Sequence, residues 1–267
     1  ISLALSLYAF AWINVLVPTQ WQSFLTLALA LTFFFGAYFV STIKSSPYPV
    51  YTYAASALFL LTSATMIEFD GPVEIVALSL IATIVPLVTL YLFSQTISAT
   101  LLFYFALPIL LSLPSITSYQ WNRGVFHSDA FALVILTTCL WSVGLYLRYQ
   151  LPKTFDSISQ HIKDATVVVL ITASIYSLIL VWLIDHAIWP QTFIARMLTL
   201  AIYLITGLST YFYGQLQHRT ILHRYGQILT GLVIAWLLLI ETSNMELSGR
   251  ILTFALTGVL LIGSVLL

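Results

Sequence analysis

Two long stretches of this chain, residues 1–43 and 75–122, contain no Lys, Arg, Asp or Glu. Charged residues make up only 7% of the 267 residues, and the mean hydropathy is +1.01. Soluble domains carry roughly 25% charged residues, so most of this surface is suited to lipid rather than water. Within lipid, a spanning segment must satisfy its backbone hydrogen bonds internally. The sequence therefore predicts an all-α, polytopic transmembrane helix bundle.

Charged residues, together with Pro and Gly breaks, divide the chain into segments close to the roughly 20 apolar residues that a spanning helix needs. About ten spans are predicted, at 3–17, 22–42, 50–67, 75–93, 98–113, 130–147, 165–184, 193–213, 227–240 and 251–267. Pro86 and Pro108 fall inside the fourth and fifth spans, where each removes a backbone donor. We expect residues 1–267 to form a single transmembrane domain, and the initial Ile1 suggests that it belongs to a longer membrane protein.

The distribution of charge between the predicted loops indicates an orientation. With ten spans, six of the nine basic residues fall on one side and seven of the nine acidic residues on the other. The basic side holds Lys44, Arg148, Lys153, Lys163, Arg219 and Arg224. Because basic loops tend to stay in the cytoplasm, both ends of the segment are predicted to be cytoplasmic. The aromatic residues near span ends fit either interfacial belts or ordinary packing: Tyr48, Tyr51, Trp121, Trp182, Trp189 and Tyr225.

The composition also argues against several classes of function, namely nucleic-acid binding, metal binding and cofactor binding. The formal net charge of zero gives no electrostatic footprint for nucleic acid. The single Cys139 and the scattered His residues predict neither a metal site nor a cofactor. Glu68, Asp70 and Glu74 flank the turn at Gly71-Pro72, where they fit either a solvated turn or oxygen ligands for a divalent cation. Their spacing matches no known cation-binding loop.

A polar cluster is predicted at the outer ends of the last four spans. Its members are Asp185, Arg196, Glu241, Glu246 and Arg250. A guanidinium within an apolar segment is costly, so we expect Arg196 to pair with Asp185, or otherwise with Glu241 or Glu246. Glu246 and Arg250 stand four residues apart, which is the spacing of an ion pair on a helix. Two interpretations remain open for Arg196: a structural ion pair, or a contact to a carboxylate or phosphate of a substrate.

The end of the chain carries a series of short motifs in a fixed order. They are Tyr225-Gly226, an apolar helix, Glu241, Met245-Glu246-Leu247, and Arg250-Ile251 followed by Phe254. This series resembles the closing segment of domain of unknown function 2339, a family of predicted bacterial membrane proteins. The resemblance implies a multi-pass protein of the bacterial cytoplasmic (inner) membrane, and it implies no activity. The chain departs from the family pattern at Leu78, Ile81 and Trp236, where the family commonly has Trp, Glu and Arg.

Three functional hypotheses follow from these observations. The favoured one is a non-enzymatic envelope protein, transporter-like or a scaffold, whose partners are the lipid bilayer, an amphipathic small molecule and other, unidentified membrane subunits. A water-accessible cavity near Pro86 and Pro108 would support a transporter, because broken helices line transport sites. One alternative is an intramembrane lipid or glycan transferase, which would need the polar cluster gathered at one leaflet. The other is a purely structural helix bundle with every polar group paired.

Overall fold

The structure is a computed structural model, and it describes residues 2–43, 47–92, 100–149, 160–189, 193–218, 220–237 and 258. Within these residues all regular secondary structure is helical, as the sequence predicted. The helices are α1 (Ser2–Leu16), α2 (Thr19–Ile43), α3 (Pro47–Glu68), α4 (Pro72–Leu92), α5 (Ala106–Ile116), α6 (Ser128–Tyr149), α7 (Gln160–Ile188), α8 (Phe193–Leu216) and α9 (Thr220–Trp236). A 3₁₀ turn, Leu102–Phe105, leads into α5, and a second one, Tyr119–Arg123, lies between α5 and α6.

The helix ends follow local backbone chemistry. Both α3 and α4 begin at a proline, whose missing N–H costs nothing in the first turn of a helix. Gly71, directly before Pro72, has a φ of +62°, a left-handed conformation that glycine adopts at little cost. The turn between α3 and α4 therefore forms where the Gly-Pro pair predicts it.

Five helices are long and apolar enough to cross a membrane, which is compatible with a multi-pass membrane protein. They are Thr19–Ile43, Tyr48–Glu68, Pro72–Tyr91, Ser128–Tyr149 and Gln160–Ile188. Two shorter apolar helices, Leu3–Leu16 and Leu102–Ile116, rise only about 22 Å at ~1.5 Å per residue, less than a hydrocarbon core of about 30 Å. The number found in the described residues does not support the predicted ten spans. The tenth predicted span, 251–267, lies almost wholly outside them.

The chain divides into two compact units, Ile1–Leu180 and Val181–Leu267. In the first unit α2 packs along α3, with α1 against both, and α6 packs against α4 and α5. Gly36 lets α2 approach α3 closely, because a Cβ there would lie 3.0 Å from the Tyr53 ring. Leucines fill the core of this unit, among them Leu60, Leu78 and Leu133, each fully buried.

The second unit contains the pair of helices α8 and α9, which pack along each other. A Cβ at Gly226 of α9 would lie 2.6 Å from the Cα of Tyr211 and 2.7 Å from the carbonyl oxygen of Gly207, both in α8. The two backbones are therefore in direct contact, as glycine allows in membrane helices. Between the helices the chain passes through His218, whose φ of +51° is left-handed.

Candidate functional site

Asp185 is the member of the predicted polar cluster whose surroundings the structure describes. It lies near the end of α7, where its side chain is buried at 8% exposure and accepts a hydrogen bond of 2.8 Å from the Thr199 hydroxyl. Thr199 lies in the second turn of α8, and Tyr203 follows it four residues later on the same helix face. The neighbouring His186 has a different partner, since its Nδ1–H donates to the carbonyl oxygen of Trp182 in its own helix at 2.8 Å.

The remaining members of the predicted cluster stay predictions. Arg196 lies in the first turn of α8, three residues before Thr199, but its side chain is outside the described part of the chain. Glu241, Glu246 and Arg250 all lie outside the described residues. Thr199 was not predicted from the sequence, although its spacing from Arg196 and Tyr203 places all three on one face of a helix.

The acidic turn between α3 and α4 does not gather its carboxylates around a common point. Glu68, at the end of α3, accepts a 2.6 Å hydrogen bond from the Ser23 hydroxyl of α2. Among the residues that the structure describes, no group of three or more His, Cys, Asp or Glu side chains could hold a metal ion. The Ser23–Glu68 bond therefore ties the start of α2 to the end of α3.

A buried polar cluster at the connection between α5 and α6 was not anticipated from the sequence. Trp121, predicted as an interfacial or packing aromatic, is buried at 6% exposure and donates from Nε1 to the Ser115 carbonyl oxygen at 2.9 Å. The Ser115 hydroxyl donates to the carboxylate of Asp129, which is 7% exposed, at 3.0 Å. Asp129 stands in the first turn of α6, where the helix dipole favours a negative charge.

His127 completes this cluster. Its Nδ1 accepts the backbone N–H of Ala130 at 3.3 Å and so caps α6, and its ring stands at 88° to that of Trp121 with centroids 4.5 Å apart. Its Nε2 is buried and has no hydrogen-bond partner within the described chain. The contacts explain how this connection is ordered, and each has a local structural role in capping or anchoring.

An apolar cavity of about 200 Å³ lies between α2, α3 and α4. It is lined by Ala30, Leu31, Phe34, Ala54, Ala57, Leu58, Leu61, Ile84, Val85, Val88, Thr89 and Leu101. Among these described lining residues Thr89 has the one polar side chain; it donates its hydroxyl to the Pro86 carbonyl oxygen at 3.0 Å and so offers the cavity no unused donor. The cavity therefore lies beside Pro86, which was predicted to interrupt its span, and the described part of its wall is almost entirely hydrocarbon.

A second, more open pocket of about 670 Å³ lies on the α1 side of the α2–α3 pair. It is lined by Leu5, Thr32, Phe33, Tyr48, Pro49, Thr52 and Tyr53. The rings of Phe33 and Tyr53 have centroids 5.9 Å apart at an angle of 43°. The two pockets differ in chemistry, since the described lining of the first is mostly aliphatic and that of the second consists mostly of aromatic rings and hydroxyls.

Comparison with other proteins does not assign either pocket. No protein-family model matches the chain, and no curated protein or solved structure matches it. The resemblance of its last hundred residues to domain of unknown function 2339 therefore stays a prediction.

Proposed function

We propose that this chain is a multi-pass membrane protein of the transporter-like or scaffold type that holds a hydrocarbon segment of an amphipathic ligand between α2, α3 and α4. The observation that carries the proposal is the apolar cavity beside Pro86, with its volume of about 200 Å³. Apolar cavities of about 150 Å³ in proteins stay dry and take up small hydrocarbons. An acyl chain suits this lining, because a buried headgroup would lose its hydrogen bonds there.

The position of Pro86 supports a cavity that can change size. Proline has no N–H, so it cannot bond the carbonyl of Ala82 one turn earlier in α4. Helices interrupted in this way line the binding sites of many transporters. Movement of α4 about this point would open or close the cavity against α2 and α3.

The test is covalent capture of an acyl chain by the purified protein. A fatty acid that carries a photoactivatable diazirine is added to the protein in detergent micelles, and the labelled peptides are mapped by mass spectrometry. We expect labelling to concentrate on α2, α3 and α4. Ala57→Leu adds three carbon atoms to the cavity and should reduce this labelling at least about fivefold, because it displaces methylene groups of the acyl chain whose burial contributes about 0.8 kcal/mol each.

Ala55→Leu is the matched control. Ala55 lies on α3 beside the cavity residues but is exposed and does not line the cavity. The same substitution there should leave the labelling of α2–α4 unchanged, and the melting temperature of both variants reports on folding. Labelling spread evenly over all apolar helices, or equal labelling of both variants, would refute the proposal.

The finer topology is also proposed rather than observed: about ten spans in a bacterial inner membrane, with both segment ends cytoplasmic. The uneven distribution of basic residues supports it. Cysteines at Ser46 and Ser128, in a Cys139→Ala background, should react with a membrane-impermeant maleimide from opposite sides. Three crossings are predicted between them. Labelling from one side would mean that only α3 and α4 cross there, and that the stretch Leu102–Ile116 does not.

A further inference from the structure

The aromatic pocket on the α1 side of α2 and α3 presents electron-rich groups to a ligand. Its rings come from Phe33, Tyr48 and Tyr53, and among the lining residues that the structure describes none is Lys, Arg, Asp or Glu. The face of an aromatic ring carries negative charge density. The described part of the lining therefore holds no ionic partner for an anion and no carboxylate for a metal ion.

The two threonines of the pocket add to the electron-rich character of its lining. Thr32 donates its hydroxyl hydrogen to the Ala28 carbonyl oxygen, and Thr52 donates to the Pro49 carbonyl oxygen, each at 2.9 Å. With their donors used within their own helices, these side chains offer the pocket oxygen lone pairs. Rings and lone pairs together favour a positively charged ligand that keeps an apolar surface.

We propose that this pocket binds an organic ammonium cation with apolar substituents, held over the rings of Phe33, Tyr48 and Tyr53. Cation–π attraction supplies the selectivity, as in aromatic sites for quaternary ammonium groups. Tyr53 is six residues after the start of α3, about 9 Å along the helix at ~1.5 Å per residue, so the pocket lies near one end of the α2–α3 pair. An ammonium group can reach this depth from a lipid headgroup or from a free lipophilic amine.

The first experiment compares a cation with its uncharged analogue. Butyrylcholine and 3,3-dimethylbutyl butyrate have the same shape, and they differ in a quaternary nitrogen against a quaternary carbon. Their binding to the full chain in neutral detergent is measured by saturation-transfer NMR. We expect butyrylcholine to bind at least about fivefold more tightly, the factor that corresponds to a cation–π contribution of about 1 kcal/mol. Equal binding of the two compounds would overturn the proposal.

The second experiment tests the ring of Tyr48. This side chain is 78% exposed, so its substitution leaves the packing of α3 intact. Tyr48→Phe retains the ring and should bind butyrylcholine within about twofold of the parent protein, whereas Tyr48→Leu should bind about fivefold more weakly. Equal losses in both variants, or no loss in either, would contradict a role for the ring.

Nanodiscs of different lipid composition distinguish the two sources of the cation, a lipid headgroup and a free amine. If lipid headgroups occupy the pocket, phosphatidylcholine nanodiscs should compete and weaken butyrylcholine binding relative to nanodiscs of the uncharged lipid digalactosyldiacylglycerol, which has no ammonium group and does not attract the cation electrostatically. If the natural ligand is a free amine, the lipid should make no difference. Because the acyl-chain cavity shares none of these lining residues, failure here leaves the proposed function standing.

Discussion

Substitution of Gly226 by alanine should separate α8 from α9. The new Cβ would lie 2.6 Å from the Cα of Tyr211 and 2.7 Å from the carbonyl oxygen of Gly207, whereas ordinary contact begins at 3.4 Å. The helices must therefore move apart by about 0.8 Å at this point. The atoms met are backbone atoms, so no rotamer change in a side chain relieves the overlap.

Gly231 provides an internal reference for the size of this effect. It lies in the same helix, and a Cβ there would meet nothing within 4 Å. Alanine at either position gains about 1 kcal/mol of helix propensity over glycine. The difference between the two variants therefore isolates the overlap, and we expect Gly226→Ala to be less stable by about 3 kcal/mol, the upper end of the range for overpacking.

The measurement is unfolding of the purified protein by SDS in neutral micelles, followed by far-ultraviolet circular dichroism. Gly231→Ala should unfold at slightly higher SDS than the parent protein, and Gly226→Ala at clearly lower SDS. Equal stability of the two variants would show that the helices do not touch at Gly226, and the described packing of α8 on α9 would be wrong.

Three further predictions concern polar groups. Thr230→Val should raise the free energy of unfolding by about 1 kcal/mol. The reason is that the Thr230 hydroxyl is buried with no partner in the described chain, and such groups cost about 1–3 kcal/mol. A variant of unchanged or lower stability would contradict this prediction. Trp121→Phe removes a buried hydrogen bond, so trypsin should cleave at the exposed Arg123 about tenfold faster, the factor that corresponds to about 1.4 kcal/mol; an unchanged rate contradicts this. Arg196→Ala should cost about 3–5 kcal/mol if it leaves the Asp185 carboxylate uncompensated, and Asp185→Asn added to it should recover most of the loss, whereas no recovery would exclude the predicted pair.

The helices themselves could be predicted from the sequence, because a continuous apolar segment in lipid has few alternatives to a helix. The predicted span 130–147 is α6 (Ser128–Tyr149), and the predicted start of α8 at Phe193 is the observed one. The observed helices α3 and α7 extend beyond the predicted spans 50–67 and 165–184 at both ends, since backbone hydrogen bonding continues past the last apolar residue. Hydropathy shows where a helix can cross, and it says less about where the helix ends.

Packing could not be predicted, for a reason specific to membranes. Every face of such a helix is apolar, so periodicity does not show which face meets a neighbour and which meets lipid. Phe33 and Phe34 are adjacent in α2, yet they line different pockets. Asp129 shows a second limit: it stands directly before the predicted span 130–147, and nothing in the sequence indicates that it is buried against Ser115. Charge counting locates a residue along the chain but does not report its burial.

The helices α2 and α3 contribute walls to both pockets, so they act as a shared partition. Their separation is set where Gly36 meets the Tyr53 ring, and widening it would alter the two volumes together. A ligand that changes this separation when it binds in one pocket therefore changes the affinity of the other pocket for its own ligand. Thermodynamic linkage requires the effect to be reciprocal, so the second ligand changes the affinity for the first by the same factor. An acyl chain and an ammonium cation bound on opposite sides of the α2–α3 pair would therefore change each other's binding affinity without direct contact.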